Sequence, residues 1–286
     1  MRPVRQLFVV VAILGFWSPL RAQENSPPPK GLRVFICAHS FHIFVADRLT
    51  PIAAKDGIAD HKLVDKQMIG GSRVIQHWDL PADKNKAKKA LQAGNVDVFT
   101  MSPIPLMPDP GIDNFVDLGL KHNPDIRFLL QASWYPFDSL EQNAMVKQNA
   151  ERDGKTIAEL RPQSDAWRKA IEQQADALNK KHGKQAVFVV PVGDAVLKLR
   201  ERVIAGKAPG IAKQSDLFTD PIGHAKLPVA GLTVYCHYCA IYKRKPTAFP
   251  PEVKTAEQEN LFRMLQEIAW ETVRDYDRSG VGKAAK

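Results

Sequence analysis

Short apolar runs alternate with amphipathic stretches along most of the chain. The first run, Leu32, Val34, Phe35 and Ile36, breaks at Ala38-His39-Ser40, and a new apolar segment opens at Phe41. That pattern predicts a buried strand, a tight turn and the start of a helix. The rhythm recurs four more times. Strands are predicted over residues 32–37, 62–69, 96–101, 126–132 and 185–191. Helices are predicted over 41–56, 83–93, 112–121, 165–182 and 194–205, and Gly57, Gly94, Gly183 and Gly206 stand where helices stop. Helix 165–182 is the most polar, with Trp167, Ile171 and Leu178 as its apolar face. Two more helices, 229–242 and 255–275, close the chain. The loop after the third strand holds four prolines, which excludes regular structure there. Residues 133–161 read as an insertion.

Five strands alternating with helices predict an α/β fold, a three-layer α/β/α sandwich around a five-stranded parallel sheet. Polar crevices in such sheets lie outside the carboxyl ends of the strands. Here those ends carry His39-Ser40, Gly70-Gly71-Ser72, Ser102, Gln131 with Ser133-Trp134, and Gly193-Asp194. The loop before the closing helices adds Asp220 and His224.

The 286 residues suit one large domain, and 44% hydrophobic with 25% charged residues is ordinary globular composition. Residues 1–22 set Arg2 and Arg5 before the apolar run 7–17 and end at Ala22, the layout of a secretory signal peptide. Export to the periplasm or medium is therefore expected, with no stable membrane insertion after cleavage. Residues 23–30, with Pro27-Pro28-Pro29, form a spacer, and 31–286 form the domain. Loss of Arg2, Arg5 and Arg21 lowers the net charge from +9 to +6. The remaining lysines are scattered beside acids, as on a solvated helix face, which argues against nucleic acid as a partner. Cys236 and Cys239 superficially suggest a redox or zinc pair. They fall in a predicted helix without a second ligand pair, and small buried residues are the better reading. A bridge from Cys37 to one of them requires that helix to pack on the first strand.

Ser40 admits two readings. Serine commonly caps a helix. At a strand-to-helix turn, however, converging N–H groups also favour developing negative charge, and a hydroxyl there becomes a nucleophile given a histidine. His224 is the candidate base, Asp220 the acid that orients it, and Gly71 a donor whose N–H a substrate can approach closely.

Taken in order, these blocks resemble the SGNH/GDSL hydrolases. Ala38-His39-Ser40-Phe41 matches the first block, Gly70-Gly71 the second, and Asp220-Pro221-Ile222-Gly223-His224 the last. The resemblance spans residues 31–246 and rests on order and position more than identity. His39 stands where the family carries Asp, Ser102 where an Asn enters the oxyanion hole, and the Asp-to-His spacing is one residue longer. The resemblance implies an SGNH hydrolase or flavodoxin-like fold and a serine esterase needing no cofactor or metal. Ser40, His224 and Asp220 become catalytic, with Ser40, Gly71 and Ser102 forming the oxyanion hole. It also implies a small-molecule or polysaccharide ester as partner, in particular an O-acylated carbohydrate. His77, Trp78, Gln131 and Trp134 are the candidate substrate-lining residues, with a structural role for the first two equally open. A metal held by His39 and His42 is disfavoured, since no carboxylate or further histidine lies at ligand spacing. A glycan-binding protein that keeps the fold without catalysis is the alternative. Oligomeric state is left open.

Overall fold

The computed structural model describes residues 27–282; the expected leader lies outside the described residues. Five strands, β1 (Arg33–Ala38), β2 (Lys62–Met68), β3 (Val98–Met101), β4 (Arg127–Gln131) and β5 (Val187–Val190), form one sheet in the order β2-β1-β3-β4-β5. Every neighbouring pair is parallel. The chain leaves β1 toward β2 and then crosses back to β3. The order thus reverses beside the carboxyl end of β1, the place where open α/β sheets form their crevice.

Alternation along β1 sorts the core into two layers. Val34, Ile36 and Ala38 face one side, packed with helices α1 (Phe44–Lys55), α6 (Val192–Ile204), α7 (Leu227–Tyr242) and α8 (Ala256–Arg274). Phe35 and Cys37 face the other, with α2 (Val74–Trp78), α3 (Lys86–Gln92), α4 (Pro110–His122) and α5 (Ile157–His182). This is the expected three-layer α/β fold. Residues 229–242 of α7 are buried all round, which explains their lack of a polar face. Cys37, Cys236 and Cys239 are free and buried. The period-two alternation puts Cys37 across the sheet from the other two, so the bridge considered from sequence is not formed. Among the described residues no helix is long and apolar enough to cross a membrane.

Two helix starts and one additional short helix depart most from expectation. The first helix starts at Phe44 rather than 41, because residues 40–43 form a turn in which the His42 and Ile43 N–H groups both donate to the His39 carbonyl, each at 3.1 Å. The short α2 was not foreseen; it lies between the Gly70-Gly71 turn and α3. Helix α5 begins at Ile157 rather than 165. A capping box sets that start: Thr156 N–H donates to Glu159 Oε2 at 2.7 Å and Glu159 N–H to Thr156 Oγ1 at 3.3 Å. Pro162 lies inside the helix without ending it. The insertion therefore ends before α5 and contains only two short 3₁₀ turns, Pro136–Asp138 and Asn149–Gly154.

Candidate active site

Ser40 sits two residues beyond β1, in the turn that leads into α1. The N-cap of α1 is Ile43 and no side chain caps it, so the capping role considered for Ser40 is not the one it fills. His39 shapes the turn instead. Its Nδ1 accepts the Phe41 N–H at 3.1 Å, the bond a side-chain oxygen of Asp makes in an Asx turn. That acceptor role needs a neutral ring. Burial supplies it, pulling the His39 pKa down to about 4. His39 thus closes the turn with a ring nitrogen where an Asp would use a carboxylate oxygen. Ser102 lies just past β3 and its Oγ accepts the His39 N–H at 3.4 Å. It is buried behind the turn rather than in the cavity wall, so its direct service here is to the His39 backbone.

The second half of the site is the loop before α7. The Asp220 Oδ1 accepts the Gly223 and His224 N–H groups at 2.9 and 3.2 Å. Its Oδ2 faces His224 Nδ1 at 2.6 Å, and His224 Nε2 faces Ser40 Oγ at 3.0 Å. Burial pushes the Asp220 pKa up, but the bonds from the His224 ring and the two backbone N–H groups outweigh it and hold the carboxyl below its ordinary value. With Asp220 ionised, the imidazole donates through Nδ1, which leaves Nε2 to accept the serine hydroxyl. The turn from Asp220 to His224 closes at Gly223, whose φ of +102° belongs to glycine.

Three neighbours hold that loop. Arg152 Nη2 donates to the Pro221 carbonyl at 2.6 Å, while its Nη1 lies 2.5 Å from Asp138 Oδ1. Arg200 makes a two-pronged pair with the same carboxylate, both contacts at 2.9 Å, and all three side chains are buried. Trp134 Nε1–H donates to the Gly223 carbonyl at 2.9 Å, and its ring stacks on Phe41, with centroids 4.7 Å apart. The Phe137 N–H donates to the Ile222 carbonyl at 2.9 Å, tying the insertion to the loop. None of Arg152, Asp138 and Arg200 was signalled by the sequence, because a lone Arg or Asp inside a polar stretch reads as surface.

Beside Ser40 opens a cavity of about 300 Å³. Gly71 lines it; φ there is +61°, and a Cβ would meet nothing within 4 Å, so glycine is needed for the turn and leaves the mouth open. Among the described residues neither the Ser40 nor the Gly71 N–H has an acceptor, which leaves both free for an oxyanion. The rest of the wall is chiefly apolar: Phe41, Ile104, Leu106, Phe137, Leu140 and Trp167.

None of the four expected substrate-lining residues is in this wall, and each has a structural partner. His77 is buried with Nε2 2.8 Å from Ser72 Oγ and Nδ1 3.2 Å from Gln67 Nε2, bracing the Gly70-Gly71 turn from behind. Trp78 packs edge-on against Phe115, with the Lys88 ammonium over its ring. Gln131 donates to the Phe41 carbonyl at 3.0 Å and accepts from His237 at 2.9 Å. Trp134 steadies the acid loop. The expectation placed side chains near strand ends in the crevice, whereas these four point into the layers beneath it. His42 likewise turns away, stacked on His237 in the core.

The site and fold define an α/β protein with a serine, a histidine and an aspartate in hydrogen-bond sequence at the sheet's switch point. No family model matches the chain, and no curated protein does. Among solved structures it is similar to a DUF4886 family protein from Bacteroides uniformis, with a TM-score of 0.54 and 13% identity over 85% of this chain and 95% of that one. At that identity the likeness speaks for the fold alone. A protein from Parabacteroides merdae, provisionally assigned as a GDSL-like lipase, aligns over 84% of this chain and 98% of its own at 10% identity, with a TM-score of 0.41 too low to weigh.

Proposed function

We propose that the protein is a serine ester hydrolase. The observation that carries this is the unbroken line from Ser40 Oγ through the His224 ring to Asp220 Oδ2, at 3.0 and 2.6 Å, beside a cavity. In the proposed cycle Ser40 attacks the ester carbonyl while His224 Nε2 takes its proton. The oxyanion is met by the free Ser40 and Gly71 N–H groups. His224 then returns the proton to the departing alcohol, leaving an acyl-enzyme. Water, deprotonated by the same Nε2, releases the acid and restores Ser40. Asp220 keeps the imidazole in the required tautomer throughout and does not itself take the proton.

A protein that only binds glycans has no use for a hydroxyl, imidazole and carboxylate in this order, so the geometry favours hydrolysis. Export, from residues 1–22, and an O-acylated carbohydrate as the ester remain parts of the proposal that rest on the sequence. The cavity speaks to the acyl side only. Hydrolysis of p-nitrophenyl esters by the mature protein tests the reading. Ser40→Ala is expected to lower turnover on the order of 10³-fold or more while leaving the protein folded; turnover unchanged by that substitution contradicts it.

A further inference from the structure

The wall beside Ser40 offers almost nothing to a polar group. Its polar side-chain atoms are few: His39 Nδ1 is engaged by the Phe41 N–H and the Ser40 hydroxyl by His224, while the buried His39 Nε2 and the Trp167 indole N–H have no partner among the described residues. The mouth is apolar as well. Of the five large apolar side chains exposed among the described residues, Leu106, Leu140 and Ile222 line this one cavity, while Met68 and Ile204 lie elsewhere. Exposed apolar groups gathered at a concave site mark a surface that a ligand covers.

The wall is also held stiffly. Phe137 and Asp138 have φ of 54° and 55°, a left-handed conformation that residues with a Cβ adopt only when their surroundings hold them there. The Arg152 and Arg200 contacts to Asp138 hold that turn in place, so the Phe137 ring is kept in the wall without a ligand to organise it.

A second groove of about 500 Å³ adjoins this cavity. It shares Pro105, Leu140 and Trp167 with the first and adds Met107, Tyr135, Glu141 and Gln163. Leu140 stands in the wall of both spaces, with 49% of its surface exposed.

Resting on the reading of Ser40 as nucleophile, we propose that the acyl group of the substrate is a medium-length hydrocarbon chain and that Leu140 sets its greatest length. An acetyl group leaves most of the apolar wall wet. Each further methylene that reaches the wall gains about fourfold in kcat/KM, the worth of one buried CH₂. The gain ends where the chain meets Leu140, because about 300 Å³ is at the small end for a ligand site. Beyond that point the groove carries the polar Glu141 and Gln163 and rewards a chain less. Shortening Leu140 joins the two spaces.

The test is the chain-length profile of kcat/KM on p-nitrophenyl acetate, butanoate, octanoate and dodecanoate. The wild-type optimum is expected at butanoate or octanoate, with acetate and dodecanoate at least tenfold lower. Leu140→Ala moves the optimum toward dodecanoate and Leu140→Phe moves it toward butanoate or shorter. Acetate as the best substrate, or the same profile in all three proteins, overturns the proposal. A failure of the underlying reading shows separately, as no reaction of Ser40 with a fluorophosphonate. In that event calorimetry on Ser40→Ala decides: octanoate bound at least tenfold more tightly than acetate supports the apolar acyl site, and equal or absent binding overturns it.

Discussion

Arg152 donates to the carbonyl of Pro221, the residue after the candidate acid, at 2.6 Å, with its own side chain fully buried. The insertion between β4 and α5 thereby holds the Asp220–His224 loop from beneath. Asp138 is the counter-charge that makes this tolerable, since it faces Arg152 and Arg200 together. Asp138→Asn leaves two buried guanidiniums without a carboxylate and should cost about 3–5 kcal/mol. Arg152→Lys keeps the charge but lacks the fork that spans Asp138 and Pro221. We expect it to slow Ser40 acylation by about tenfold or more with a smaller loss of stability. Urea unfolding and acylation rates measured on both variants separate the two effects; equal behaviour of the variants contradicts this division of roles.

Stability should fall on mild acidification. Burial lowers the pKa of His39, His61 and His77 to about 4 and that of His237 to about 3, against 6.5 for an exposed histidine. Below pH 6.5 the unfolded chain therefore binds protons that the folded chain refuses. The stabilisation is fully present above pH 6.5 and is lost as pH falls toward 4. Each such histidine contributes a slope of up to about 1.36 kcal/mol per pH unit inside that window. The urea midpoint should thus drop steeply between pH 6.5 and 4.5; a flat profile there contradicts the burial of neutral histidines.

Asp220→Asn tests the acid apart from the nucleophile. An amide can turn its NH₂ toward His224 Nδ1, which stabilises the tautomer that carries its proton on Nε2. The hydroxyl of Ser40 then loses its acceptor. Turnover is expected to fall on the order of 10²–10⁴-fold with little change in KM. A KM effect alone, measured with the same p-nitrophenyl ester, contradicts this role.

Gly71→Ala probes the oxyanion side. No atom within 4 Å would obstruct the new Cβ, so the penalty comes from φ of +61°, about 1–2 kcal/mol for a residue with a Cβ. Relief of that strain turns the N–H away from the cavity. We expect kcat to fall about tenfold or more while the thermal midpoint shifts by only a few degrees. Unaltered kcat removes Gly71 from the oxyanion hole.

Strand count, strand direction and the three-layer arrangement were legible because apolar runs and glycine stops are local signals. The Ser40, Gly71 and Asp220–His224 elements were legible for a related reason: each sits at a strand end or in a polar loop whose position the topology dictates. What lay beneath was not. His39 as an acceptor for the turn, and Trp134 as a donor to Gly223, depend on side-chain direction, which spacing along the chain does not encode. The apolar cavity is assembled from Phe41, the Pro-rich loop, the insertion, Trp167 of α5 and Ile222 of the acid loop, five segments distant in sequence. Trp167 lies on the predicted apolar face of α5, and it is also cavity wall. Helix α5 starts at Ile157, ahead of the predicted 165, because the Thr156–Glu159 box sets its first turn and Pro162 does not end it.

In the proposed cycle everything rests on the activation of Ser40 by His224. Reaction of the folded mature protein with a fluorophosphonate, followed by peptide mapping, tests it most directly, since such reagents attack only a serine whose proton is being drawn away. One labelled residue is expected, Ser40, with labelling abolished in Ser40→Ala and strongly slowed in His224→Ala. A folded protein that stays unlabelled, or labelling that survives loss of Ser40, contradicts it.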